Sequence, residues 1–87
     1  MTNKVEKLIG SQIAKIRKER GLTQAQVAEL VNVATETISR LERGVSIPSL
    51  KRLEKIGRAL NTPMKMFFDF DYSQKAKHLF LKTNLPR

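Results

Sequence analysis

An all-α domain of five short helices is the fold class this sequence predicts. Apolar residues recur three and four positions apart along much of the chain, the spacing of one helix face. Helix-ending residues, Gly21, Asn32, Gly44 and Asn61 with Pro63, separate those stretches at short intervals. No extended alternation of β-branched residues competes with that pattern. The 87 residues suffice for one core, and with no cysteine only packing, and association with other chains, is left to hold it.

The first helix rests on Ile9, Ile13 and Ile16 at i, i+4, i+7, with Val5 and Leu8 extending it back toward Asn3. Gly10 weakens its first part by roughly 1 kcal/mol relative to alanine. It closes at Gly21, after the basic Lys18 and Arg20. Thr23 is an N-cap for the second helix, whose buried face is Val27, Ala28 and Val31. Asn32 tolerates the left-handed conformation of the turn that follows. Thr35 is expected to cap the third helix, which buries Ile38 and Leu41 and stops before Gly44. After the loop GVSIPS, Ser46 or Ser49 caps a fourth helix patterned by Leu50, Leu53, Ile56 and Leu60. Pro63 then opens a short fifth helix through Phe67 or Phe68. Past Asp69 the pattern fades, and a last helix from Gln74 to Lys82, carrying Ala76, Leu79 and Phe80 on one side, is only weakly signalled.

Lys and Arg number 17 against 8 Asp and Glu, a formal net charge of +9. Such an excess on so short a chain favours a polyanionic partner, nucleic acid first. The plainer reading is that the charge keeps the protein soluble. No apolar run of about 18 residues is present to span a membrane, and the N-terminus has no apolar signal core, so a cytoplasmic protein is expected.

The segment Thr23–Glu42, TQAQVAELVNVATETISRLE, concentrates the functional signal. It reads as two amphipathic helices joined at Asn32. Ala28 is small where two backbones cross, and Val33 anchors the turn. The polar remainder of the second of these helices, Thr35, Glu36, Thr37, Ser39 and Arg40, is left to face outward. A short polar and basic helix face fits the major groove of DNA.

The run IAKIRKERGLTQAQVAELVNVATETISRLERGVSIPSLKRLEKIGRAL, and the chain onward to Phe68, resembles the lambda repressor and Cro-type, or XRE, helix-turn-helix family. Three blocks, RGLTQAQVA, TISRLERG and PSLKRLEKI, stand in family order and at family spacing. The resemblance implies a five-helix lambda repressor-like domain with its third helix in the major groove. It also implies a homodimer on a palindromic operator. One departure is Asn32, where the family usually has glycine.

Candidate contacts follow by position. Arg40 can grip guanine bidentately, or reach a phosphate. Thr35, Glu36 and Thr37 enter the groove first. Glu36 can accept from cytosine, stabilise its helix start, or reject wrong sites. Thr37 and Ser39 meet a thymine methyl or a phosphate. Gln24 opens a helix whose N–H groups face a phosphate, a backbone contact common in the family. Arg43, with Gly44 and Ser46, is placed to hold the backbone beside the groove. Arg17 and Glu42 stand where the family often has a partly buried ion pair, and Arg17 is alternatively a phosphate contact.

Phe67, Phe68, Phe70 and Tyr72 crowd the end of the domain. They serve either as a core plug or as a self-association surface, for which Met64, Phe67 and Phe68 are the candidate residues. His78 is the single histidine and reads as an ordinary surface residue; no metal or cofactor and no enzyme activity are expected. Residues 1–69 thus form a helix-turn-helix DNA-binding domain, the motif itself at 23–43. Residues 70–87 form a C-terminal extension, a short helix or a flexible tail. The function expected is a repressor-type transcriptional regulator. The alternatives are an antitoxin whose tail binds a toxin, a restriction-modification controller, and a protein-interaction module without DNA binding.

Overall fold

A computed structural model of the chain describes residues 4–70. Four α-helices form, α1 Val5–Glu19, α2 Gln24–Leu30, α3 Thr35–Glu42 and α4 Leu50–Ala59, followed by a 3-10 turn at Met64–Phe68. The expected fifth helix is therefore that turn. Only five residues separate Pro63 from Asp69, too few for a stable α-helix, and short pieces settle into the tighter i→i+3 geometry. The expected helix at Gln74–Lys82, with Tyr72 and His78, lies outside the described residues.

Each α-helix buries one stripe. Ile9, Ile13 and Ile16 of α1 meet Val27, Ala28 and Val31 of the α2 region, Ile38 and Leu41 of α3, and Leu53, Ile56 and Leu60 of the α4 region. α3 packs on both α1 and α2; α4 packs on α2, and the 3-10 turn on α1 and α4. Phe67 is fully enclosed and closes the end of this core. A self-association role for Phe67 is thereby overturned, because a side chain with no accessible surface has none to offer a second chain. Phe70 also packs, half-buried, against the core.

Two details of the helix starts differ from expectation. Thr35 does not cap α3: Ala34 holds the cap position with extended backbone, and Thr35 is the first helical residue. The turn decides this. Asn32 adopts φ +60°, and the Val33 N–H then donates to Ala28 O at 2.9 Å, so the chain re-enters a helix one residue early. Leu50 does not face the core but is 72 % exposed. Periodicity marks the stripe on α4; it does not say how far along that stripe the neighbours reach. Thr23 does cap α2, in a reciprocal box with Gln26, and Ser49 caps α4 by accepting from the Arg52 N–H.

The helix ends are clamped by arginine. Arg20, expected only to sit favourably at the end of α1, donates to Leu60 O at 2.8 Å and to Thr62 Oγ1 at 3.0 Å. The clamp ties α1 to the end of α4, forty residues later, and no local sequence pattern carries such a link.

Candidate nucleic-acid interface

α3 is held by its inner face and by its last residue. Ile38 and Leu41 anchor it in the core. Glu42 then accepts from Arg17 Nε at 2.6 Å and Arg17 Nη2 at 3.0 Å, a two-pronged pair whose side chains are 6 % and 10 % exposed. Arg17 Nη1 also donates to Leu22 O at 2.7 Å. The hydrogen bonds to Glu42 raise the Arg17 guanidinium above its ordinary range; partial desolvation works against them, and the carboxylate's charge adds to them. A raised folded value means that the stabilisation is full below the pKa of free arginine and fades only above it. Arg17 therefore keeps its charge throughout the neutral range.

Gln24 joins the same cluster. Its Nε2 donates to Glu42 Oε1 at 2.9 Å, so one carboxylate ties the starts and ends of three helices together. The Gln24 side chain is thus half-buried and oriented by Glu42. A primary amide carries two N–H groups, and the second remains to donate.

The outer face of α3 is polar. Thr35, Glu36 and Arg40 are exposed, and Thr37 and Ser39 are half-buried. Arg43, just past the helix, donates to Glu36 Oε2 at 3.1 Å and to Ser39 Oγ at 3.3 Å. Glu36, Ser39 and Arg43 therefore form one strip along the helix. Both charged members are more than half exposed, so the pair adds little stability and separates readily for another partner. The Arg40 side chain makes no hydrogen bond or ion pair among the described residues. Ser46 lies half-buried in the loop beyond Gly44.

Two glycines set the height of this face. Gly10 is buried in α1, against the end of α3. A Cβ there would run into the Leu41 carbonyl oxygen and lie 2.8 Å from that of Glu42. Gly44, at φ +75°, lies so close to α1 that a Cβ would stand 2.7 Å from Lys7 Cα. Gly10 had shown in the sequence only as a weak point in a helix. A glycine inside a strongly patterned helix is itself the mark of a close approach.

Among the described residues no group of three His, Cys, Asp or Glu side chains could hold a metal, and no helix is long and apolar enough to cross a membrane.

The helix-turn-helix family profile matches residues 13–67. An uncharacterised HTH-type transcriptional regulator of Archaeoglobus fulgidus is 39% identical over 61 residues, covering 70% of this chain and 87% of the relative. The immunity repressor protein of Bacillus phage phi105 is 44% identical over 52 residues, covering 60% of this chain and 36% of that longer protein. Among solved structures, the master regulator for biofilm formation SinR, in complex with DNA, superposes with a TM-score of 0.66 at 34% identity. That match covers 70% of this chain and 98% of the SinR chain.

Proposed function

Because the chain belongs to the XRE-type helix-turn-helix family of transcriptional regulators, we propose that it is a repressor that binds a palindromic operator as a homodimer, with α3 in the major groove. One observation carries the reading. The polar face of α3, with Arg40 unengaged, is fixed in orientation by the Arg17–Glu42–Gln24 cluster behind it. A rigid donor-bearing helix face is what base readout needs, and +9 of net charge supplies attraction to the backbone. The phage immunity repressor relative supports repression over activation.

In this reading Thr35, Glu36, Thr37, Ser39 and Arg40 meet base edges, while Gln24, Arg43 and Ser46 meet phosphates. One reading helix covers too few base pairs to single out a site. Two copies set about 34 Å apart enter successive major grooves on one side of the duplex. Selection of bound sequences from random duplex DNA is the test. An inverted repeat with half-sites one helical turn apart is expected, and a pool with no enriched sequence would remove the proposal.

A further inference from the structure

We propose, resting on the DNA-binding reading above, that the Glu36–Arg43 ion pair is a specificity lock on α3. Glu36 holds Arg43 off the DNA backbone, and only a site that offers an amino group to the Glu36 carboxylate releases it. Arg43 is thereby a conditional phosphate contact, and Glu36 a specificity-determining residue.

The geometry of the pair is the first observation. Arg43 Nη2 donates to Glu36 Oε2 at 3.1 Å, and Arg43 Nε donates to Ser39 Oγ at 3.3 Å. Residues 36, 39 and 43 stand at i, i+3 and i+7, along one line of the helix about 10 Å long. The Arg43 side chain therefore runs back over α3 toward its first turn, away from Gly44 and Ser46. There its guanidinium lies against a carboxylate instead of a phosphate. Arg40 of the same helix makes no hydrogen bond or ion pair among the described residues. One arginine is ready for DNA, and the other is held.

The second observation is charge. α3 carries two acidic residues. Glu42 is turned inward onto Arg17, which leaves Glu36 as the carboxylate of the outer face. That carboxylate meets the phosphates of any duplex, and like charges brought together oppose binding. In the major groove the N4 amino group of cytosine is the donor that suits a carboxylate. Where cytosine stands opposite, Glu36 exchanges the guanidinium for that amino group, and Arg43 swings to the nearest phosphate. Where it does not, release would strand Glu36 facing a polyanion, so the pair stays closed and the phosphate contact is not made.

Exposure is the third. Both members are more than half exposed, and such pairs hold weakly. The lock therefore opens within the binding equilibrium, as the enclosed Arg17–Glu42 pair could not. Its opening also frees Ser39 Oγ, so three residues of the strip turn to the duplex together.

The test measures affinity against salt for the selected duplex and for a scrambled duplex of the same composition. The wild type is compared with Glu36→Ala, Arg43→Ala and the double variant, with circular dichroism to confirm that each is folded. Glu36→Ala is expected to bind the scrambled duplex roughly tenfold more tightly. Its slope of log K on log salt is expected to steepen by about 0.9, one phosphate contact. It is also expected to lose a cytosine preference at one position of each half-site. With alanine at 43 the same substitution is expected to leave the slope as it was.

An unaltered slope and affinity of Glu36→Ala on the scrambled duplex, with the wild type still discriminating sequence, overturns the lock and leaves the reading of α3 standing. A gain in slope as large with alanine at 43 as with arginine traces to bare repulsion by Glu36 and overturns it too. Equal weakening of both duplexes by Glu36→Ala means that the pair stays closed on DNA and steadies Arg43 there, which also overturns it. A wild type that discriminates no duplex overturns both the lock and the reading it rests on.

Discussion

Arg40 and Gln24 differ in what holds them, and that difference sets what each is expected to do. Arg40 projects from α3 with no partner among the described residues, so nothing is lost when it reaches a base. Gln24 is fixed by Glu42 and offers one remaining N–H from a set position. Replacing Arg40 by alanine is expected to relax preference at one base-pair position, by about 1–3 kcal/mol. Gln24→Ala is expected to weaken all sequences alike, since phosphates carry no sequence information. A binding panel over single-base variants of the selected site separates the two; an Arg40→Ala protein with intact base preference would refute its assignment. Glu42 touches no base in this scheme, yet Glu42→Ala strands Arg17 in a nearly closed site. The expected cost is about 3 kcal/mol of stability, seen as a lower melting temperature, together with weaker DNA binding. Unchanged melting and affinity would show that the cluster neither stabilises the fold nor orients α3.

At the scale of the element, α1 acts as the rest on which α3 lies. Gly10 and Gly44 let the two backbones come together at either side of the α3 C-terminus. Alanine at position 10 would ordinarily strengthen an isolated helix by about 1 kcal/mol. Here the added methyl meets the Leu41 carbonyl, a main-chain atom that cannot rotate away, and overpacking of this kind costs about 1–3 kcal/mol. The contact is expected to win. Gly10→Ala should melt lower than the wild type and bind its operator less tightly, because α3 must lift to make room. Exposed positions of α1, such as Lys15, should show neither effect on substitution by alanine. A Gly10→Ala protein that gains stability and keeps its affinity would mean that α1 and α3 do not approach as closely in solution.

For the whole molecule the proposed homodimer raises the question of which surface would join two copies. With Phe67 inside the core, the apolar surface left on the 3-10 turn is Phe68 and Met66, 43 % and 38 % exposed, with Met64 half-buried beside them. Homodimerisation through this end of the domain predicts two separable outcomes. Phe68→Asp should give a folded monomer with weakened operator binding. Phe67→Ala should instead lose about 3–5 kcal/mol of fold stability through the cavity it leaves. Sedimentation equilibrium beside circular dichroism reads both. A folded Phe68→Asp protein that still dimerises would move the interface elsewhere, with Leu30, Val45, Ile47 and Leu50 the further exposed large apolar side chains among the described residues.

The sequence by itself determined the four α-helices, the turn at Asn32, the cap at Thr23 and most of the core, and narrowed the α4 cap to Ser46 or Ser49. All of these follow from spacing and backbone chemistry within a few residues. It also marked the polar positions of α3, because a helix that buries Ile38 and Leu41 must turn the others outward. What only the tertiary structure decided depends on residues far apart in the chain. Whether Thr35 caps a helix was settled by how the turn packs on Ala28, and whether Phe67 or Phe68 faces solvent by the end of the core they close. Whether Leu50 is buried depended on how far its neighbours reach. Arg20 gained its partners, and Gly10 its reason, from chain segments some thirty to forty residues away. The cleft that brings Asn32 beside Lys51, Arg52 and Lys55 exists only because α4 returns beside the α2–α3 turn. Local periodicity fixes which way a side chain points, while packing fixes what stands there to meet it.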